Sequence, residues 1–500
     1  MANRNYKTGQ HRNQTTLLPP SIDDYVSENN PVRAIDAYVT TLDLVGLHIQ
    51  TGDTGLTAGQ PAFHPALLIK LYLYGYTNGI RSSRKLEREA SRNLEVIWLA
   101  DNLKPSYKTI ANFRKDNSTA LTGINKDFVL LCRHLNLFKG DEVAVDGSFF
   151  KADASKDSIY TAKKLAKQLA ELDKKIAAYQ QQLAEQDSRD DKAGVGSLVD
   201  DQDLADKIEL LKMKQAEKKS LQDQLVASND TQLSTVDRDA RLLTKRGQST
   251  AGYNVQIAVD GQHKLLVAVA VTQDGNDSQQ LMPMLEKAKE ILQSEQMVGL
   301  ADSGYYSGDQ IKLAHEKGLE IYVPIQKRCG PTVAEGRFTR DQFTYDVVND
   351  CYHCPQGERL ARYGKLREQD NRNVWNYKSK QSVCNNCLVR NQCLTAHATT
   401  KKLERWEHES LVVQHREHMK GTSAMMKKRS SYVEHPFGTL KHRAGMHQFL
   451  MRGLEKCQGE FNLMALCYNF TRVLNILGVG TFKEICEQRL GNIEKKPVWA

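Results

Sequence analysis

A heptad seam set inside a β-rich frame constrains this chain more than any other feature. Leu165, Leu169, Leu172, Ile176, Tyr179 and Leu183 alternate spacings of four and three, so one face of a helix there needs a partner helix. The stretch "DSRDDKAGVGSLVDDQD" interrupts the seam, and a second apolar series follows through Leu204, Ile208, Leu211 and Leu225. The pattern predicts an antiparallel helical hairpin within residues 157–245. It carries no chemistry-bearing residues. Outside it the period changes. "EVAVDGSFF" precedes it, and "AGYNVQIAVD" and "HKLLVAVAVT" follow, split by Gly261 and Gln262 as in a β-hairpin. The helix-like "DSQQLMPMLEKAKEILQS", the strand-like "MVGLAD", the helix-like "SGDQIKLAHEKG" and the strand-like "LEIYVP" complete the series. Without the hairpin the order is β-β-β-α-β-α-β, a mixed α/β sheet with helices packed on it and an arm inserted after its first strand.

The first 135 residues read differently. "NPVRAIDAYVTTLDL" and "HPALLIKLYLYGYTNG" place apolar residues at helical spacing behind Pro31 and Pro65, so this part is predicted to be all-α. It is also basic: Arg81 to Lys115 holds nine Lys and Arg against four Asp and Glu, and Lys401 to Arg443 holds ten against five. Two separated basic segments suit a polyanion such as DNA. In "KPSYKTIANFRKDN", Ile110 and Phe113 are expected in a core, with Lys108, Arg114 and Lys115 outward. A solvated basic face is the plainer reading of that helix. "MANRNYKTGQHRNQ" has no apolar leader pattern and no window reads as a membrane span. The expectation is therefore a cytoplasmic chain with thiols or metal-bound cysteines rather than disulfides.

Three carboxylates stand out. Asp146 is expected to end the first strand and Asp302 the fourth, each followed by turn-permissive residues ("DGS", "DSG"). Singly, each reads as a turn residue. If strands one and four are neighbours, however, the two would converge, and such a pair calls for a cation, a shared proton or a basic partner. Oxygen ligands sharing a cation with phosphates suit Mg²⁺. A third carboxylate is expected from "MMKKRSSYVEHPFGTLKHR": Glu434, with Lys441 two turns on along the same helical face and Pro436 between them.

"AVDGSFFKA", "GYNVQIAVD", "GLADSGYYSGDQI" and "VEHPFGTLK" resemble, in this order, the catalytic blocks of bacterial insertion-sequence DDE transposases, in a cysteine-containing branch. "FHPALLIKLYLYGYTNGIRSSRKLEREASRN" and "KTIANFRKDN" resemble their N-terminal helical domain. The resemblance implies an RNase H-like catalytic domain over 136–480, interrupted by the arm at 157–245 and by a Cys-rich insertion at 325–405. A helical DNA-binding domain at 1–135 precedes it and a tail at 481–500 follows. It implies that Asp146, Asp302 and Glu434 hold two Mg²⁺ (or Mn²⁺) ions, with Lys441 on a phosphate near the scissile bond. The family's Arg four residues before the Glu falls here on Ser430, with Arg429 next to it. Arg84, Lys85, Arg88, Lys108, Arg114, Lys115 and Arg429 are the remaining expected DNA contacts. The implied partners are double-stranded element ends and target DNA, bound by a homodimer and placing the protein on the nucleoid. The implied activity is cleavage at the ends followed by strand transfer. An RNase H-like nuclease that cuts without joining, and a zinc-containing DNA-binding protein without catalysis, are the rival readings.

Two CxxC pairs, Cys351/Cys354 and Cys384/Cys387, with Cys393 behind them, favour a structural Zn²⁺ site. The fifth thiol leaves the ligand set open, and reduced thiols or redox chemistry are the alternatives. Cys132, Cys329, Cys457, Cys467 and Cys486 are scattered and read as core or incidental residues.

Overall fold

The helices of the N-terminal part begin where short side chains can cap them. A computed structural model describes residues 21–49, 62–193, 198–245, 247–326, 336–369 and 371–494. In α1 (Pro31–Thr40), Asn30 accepts from the Val32 amide and Pro31 occupies the first turn, where a missing N–H costs nothing. α2 (Pro65–Thr77) is apolar all round and is accordingly buried from Leu67 to Tyr76, Lys70 aside. α3 (Ser83–Arg92), α4 (Leu94–Leu99), α5 (Tyr107–Asp116) and α6 (Ser118–His134) follow.

The sheet is built around β1 (Glu142–Lys151). After the short pair β2 (Ile159–Thr161) and β3 (Gln232–Ser234), β4 (Arg241–Lys245), β5 (Gln248–Asp260), β6 (Leu266–Thr272), β7 (Val298–Leu300) and β8 (Glu320–Tyr322) supply the rest. The order is β4-β5-β1-β7-β8, with β6 also on β5, and β1 runs antiparallel to β5 but parallel to β7. Strands one and four of the sequence reading are thus neighbours. The arm forms as expected from α7 (Ala162–Ala193) and α8 (Leu198–Ser228), and Leu165, Ile176, Ile208 and Leu225 are buried. It is shorter than the predicted 157–245, because residues 241–245 pair with the first half of β5 and belong to the main sheet. α9 (Leu281–Leu292) and α10 (Gly308–Glu316) connect β6 to β7 and β7 to β8.

The Cys-rich insertion is a five-stranded antiparallel sheet, β9 (Thr344–Asp346), β10 (Cys351–His353), β11 (Arg359–Gln369), β12 (Arg372–Ser379) and β13 (Lys402–Trp406), with the short helix α11 (Gln381–Asn385). It is tied to α10 by Arg372, whose guanidinium meets Asp309 at 2.6 and 3.1 Å. α12 (Glu409–His418), α13 (Ser423–Gly438), α14 (Leu454–Leu477) and α15 (Val479–Glu494) end the chain. Residues 481–494, expected in a tail, lie instead in α15. Phe482 and Cys486 recur at helical spacing and are buried, and Arg489 pairs with Asp127 at 2.5 Å. One apolar core runs from Val26 through α2, α6, β1 and β5 to Phe482 and Cys486, so N-terminal helices, sheet and C-terminal helices pack as one body. No single described helix is long and apolar enough to cross a membrane. α14 and α15 meet that requirement of length and apolarity only jointly, bent by 109°.

Candidate active site

Asp146 is not at a strand end. β1 continues to Lys151 because β5 pairs with it without a break, Asp146 opposite Ile257 and Lys151 opposite Gly252. What ends near Asp146 is the parallel ladder, whose last pair is Ala144 with Leu300. Asp146 and Asp302 each lie two residues beyond that pair, at the same level on adjacent parallel chains. Alternation along a strand returns the same face every second residue. Ala144 and Leu300 belong to the core on one side of the sheet, while Val143, Val145 and Ala301 belong to the other. Both carboxylates therefore continue the first face. α13 covers that face with Val433, Phe437 and Leu440 of the following turn.

Side chains of α13 clamp β1. Lys428 and the Tyr432 hydroxyl donate to the two oxygens of Glu142 at 2.5 and 2.6 Å. Arg429 donates to Asp146 Oδ1 at 2.6 Å and stands 3.5 Å from Asp302 Oδ2. Its guanidinium is thus a cation shared by the two carboxylates. Burial pushes the Asp146 carboxyl above its ordinary value, opposed by Arg429 and reinforced by Asp302. Asp302 also caps the turn Ser303–Tyr305 by accepting from the Gly304 amide at 2.8 Å. Lys441 donates to Ser148 Oγ at 2.5 Å and to the Phe149 carbonyl at 3.2 Å, and its ammonium lies 4.7 Å from the Phe150 ring centroid. Burial and nearby Lys245 push that ammonium down, with Asp146 opposing. Glu434 is exposed on the same helix and makes no hydrogen bond or ion pair with the described residues.

The structure thus brings Asp146, Asp302, Arg429 and Lys441 together, while Glu434 makes no hydrogen bond or ion pair with them. Within the described residues, three ligand-type atoms come within 4.8 Å of one another only at Asp346, Cys351 and His353. The other cysteines sort differently from their spacing. Cys354, Cys384, Cys387 and Cys393 line a cavity of about 40 Å³ with Ser379 and Lys401. Cys351 is buried within β10, its sulfur 3.7 Å from His353 Nε2. Cys132, Cys457, Cys467 and Cys486 are buried free thiols, and Cys329 lies outside the described residues.

Arg84, Lys85 and Arg88 on α3 and Lys108 and Lys115 on α5 are exposed, and these two helices pack on each other. Arg114, expected to face outward with them, is 6% exposed. It donates to the Tyr76 hydroxyl at 2.7 Å and stands 4.0 Å from Glu460 of α14. That partner lies far along the chain, so the local pattern carried no sign of it.

Residues 353–474 match the model of a transposase DDE domain, and residues 20–116 match that of a transposase domain, DUF772. No curated protein matches the chain. The two matches indicate an insertion-sequence DDE transposase. The DDE match takes in Glu434, Lys441 and four of the five clustered cysteines, while Asp146 and Asp302 lie before it. Proteins with this domain act on DNA and generally use divalent metals. Local reading of the sequence missed three polar residues beside the carboxylates: Gln256, Asp277 and Tyr305. Tyr305 donates to Gln256 Oε1, and Gln256 Nε2 donates to Asp277 at 2.6 Å. The one trace of Asp277 in the sequence is an Asp after Gly-Asn in "DGNDSQQ", which reads as a turn.

Proposed function

We propose that this transposase cuts DNA at the ends of its element and joins the freed 3′ ends to target DNA on an RNase H-like sheet, with Asp146, Asp302 and Glu434 as the acidic set. The observation that carries this is the pair of aspartates at one level, Asp146 within β1 and Asp302 just past its parallel neighbour β7, sharing a guanidinium where two anions need a cation. An all-oxygen donor set suits Mg²⁺ or Mn²⁺. Two such ions, when bound, would activate the attacking oxygen and stabilise the leaving one. The chain's own residues do the rest. Asp146 and Asp302 are aimed by strand register and by the turn after β7. Glu434, without a partner among the described residues and on the helix that bears Arg429, is the carboxylate available to complete the set. Lys441, beside Ser148, offers a positive charge to a phosphate at this edge of the sheet. In the first step water attacks phosphorus and the bond to the 3′ oxygen breaks, leaving a 3′-OH. In the second, that 3′-OH attacks a target phosphodiester and displaces another 3′ oxygen. Two element ends must be joined, so the working unit in this reading is two copies on DNA. The exposed cations of α3 and α5 hold the duplex by its phosphates.

A structural Zn²⁺ belongs to the same reading, with Cys354, Cys384, Cys387 and Cys393 as its ligands. These four face one cavity, whereas Cys351 is committed to the β10 strand. Their sulfurs are not drawn together within 4.8 Å, so metal binding would tighten the cavity.

Single-turnover assays on element-end DNA with Mg²⁺ test the acidic set. Asp146→Asn, Asp302→Asn and Glu434→Gln should each abolish nicking and joining while DNA binding persists. Near-normal strand transfer in any one of them removes that residue from the set.

A further inference from the structure

Gly147 and Gly304 follow the two aspartates, and in each case the missing side chain is what makes room for another residue. A Cβ at Gly147 would lie 2.6 Å from Asp277 Oδ1 and 2.5 Å from Gln256 Nε2. A Cβ at Gly304 would lie 2.9 Å from Asp302 Oδ1 and 3.8 Å from Asp277 Oδ2. Real Cβ atoms essentially never come within 3 Å of a neighbour, so a side chain at 147 would push the Gln256 amide and the Asp277 carboxylate out of their places. Consecutive residues of a strand face opposite sides, so Gly147 opens toward the side of the sheet away from the Asp146 carboxylate. A third carboxylate therefore lies under the pair, between β1 and the turn after β7.

Its bonds tie those two elements together. Asp277 Oδ1 accepts from Asn254 Nδ2 at 2.7 Å and from Gln256 Nε2 at 2.6 Å, both on β5 and both fully buried. Gln256 is the partner of Gly147 in the β1–β5 register. Its other amide atom, Oε1, accepts from the hydroxyl of Tyr305, which closes the turn that Asp302 caps. The path Gly147, Gln256, Tyr305 and Asp302 crosses from one strand to the end of the other, and Asp277 fixes the orientation of the amide at its centre. An unanchored Gln256 could rotate its amide and would then offer Tyr305 a donor in place of an acceptor.

We propose that Asp277 is a positioning residue, setting the separation of Asp146 and Asp302 through Gln256 and Tyr305 without itself binding metal. The proposal rests on the assignment of Asp146 and Asp302 as metal ligands, and its test separates the two. Full-length protein is measured for Mn²⁺ binding by calorimetry and for single-turnover cleavage of element-end DNA. Asp277→Ala removes the acceptor and should cost roughly 10–100-fold in Mn²⁺ affinity and cleavage rate, with stoichiometry kept. Asp277→Asn keeps an oxygen for Asn254 and Gln256, and should stay close to wild type in both. An Asn variant as damaged as the Ala variant would show that the charge matters, making Asp277 a ligand and overturning the proposal. An Ala variant equal to wild type would overturn it too. Should Asp277→Ala fail to fold, Gln256→Met breaks the same path from its centre and carries the same expectation. Asp146→Asn run in parallel distinguishes the failures: unchanged Mn²⁺ binding there sinks the metal-site reading, not this one alone.

Discussion

Two meetings of arginine and carboxylate, one fully buried at Glu460 and one partly open at Asp146, differ in how far their oxygens are engaged, and that difference separates structure from chemistry. At Glu460 both oxygens are fully engaged. Arg81 and the Tyr76 hydroxyl donate to one oxygen at 2.8 and 3.2 Å, and the Leu450 and Met451 amides donate to the other at 2.9 and 3.2 Å. At Asp146 the Gly147 amide and Arg429 both use Oδ1, and Oδ2 has no donor among the described residues. Asp302 keeps 49% of its side chain exposed. A saturated buried ion pair has nothing left to offer a ligand and serves to lock N-terminal helices to the C-terminal one. An unsaturated one under a single guanidinium can exchange that cation for others.

The sharpest way to break this contrast is to remove the acid from each. Glu460→Ala leaves Arg81 and Arg114 buried without their counter-charge, and should lower unfolding free energy by about 3–5 kcal/mol, read from urea midpoints. Asp146→Asn should leave the midpoint nearly in place while cleavage disappears. If the two variants behave alike in the denaturation curve, saturation does not distinguish the sites.

The cysteine cavity extends the comparison, since its thiols are also gathered without being satisfied by one another. Elemental analysis should find about one zinc per chain. Cys354→Ser or Cys393→Ser should lose the metal and loosen the β9–β13 sheet, measured by proteolysis, while Cys351→Ser should keep it. Metal loss from Cys351→Ser with retention in Cys393→Ser would assign the ligands the other way.

A smaller effect is expected from the exposed cations. Neutralising Arg84, Lys85, Arg88, Lys108 and Lys115 together should weaken binding to element ends and flatten its salt dependence. The slope should fall by roughly 0.9 for each phosphate that is no longer neutralised. Arg114→Gln should instead act on stability, as its burial beside Glu460 demands. An unchanged salt slope in the fivefold variant would make that face only a solvated surface.

The smallest concerns His415, a buried group that titrates. It is buried with Nε2 2.9 Å from the Val323 carbonyl, and burial pushes its imidazolium down from its ordinary value. The unfolded chain therefore binds the proton more readily. The stability that His415 contributes is intact above the unfolded value near 6.5 and is lost as pH falls below it. The stability gap between wild type and His415→Gln should narrow from about pH 7.5 to about 5.5 in urea titrations. A gap that widens on acidification would contradict the buried neutral imidazole.

What could be read beforehand followed periodicity. The arm, the strands that lead to Asp146 and Asp302, and the helix bearing Arg429 and Glu434 rest on patterns of about two, 3.5 or 3.6 residues, which neighbours in sequence impose. That the two strands lie side by side enters the sequence reading only as a condition. What escaped depends on partners distant in the chain. Asp-Gly at 146–147 looks like a turn until β5 is placed beside it. Asp277 sits in a polar loop whose spacing carries no period. "CYHC" looks like one knuckle, yet Cys351 lies within a strand and Cys354 just past its end, where Gly357 at φ +82° turns the chain back.

The arm has a consequence for how this protein is made. Ile159–Thr161 pairs with Gln232–Ser234, so the chain returns within one strand spacing, about 5 Å, of where it left. The sheet meets the excursion as a tight turn. For the ribosome it is a delay: β1 ends at residue 151 and β5, its antiparallel partner, begins at 248. At about 5–20 residues per second the apolar strand Val143–Val145 waits roughly 6–23 s for its own partners, Ala258 to Asp260. The segment emerging meanwhile is a charged, locally folding hairpin that can collapse in microseconds on its own. It brings the two halves of the sheet into proximity before the second half is complete.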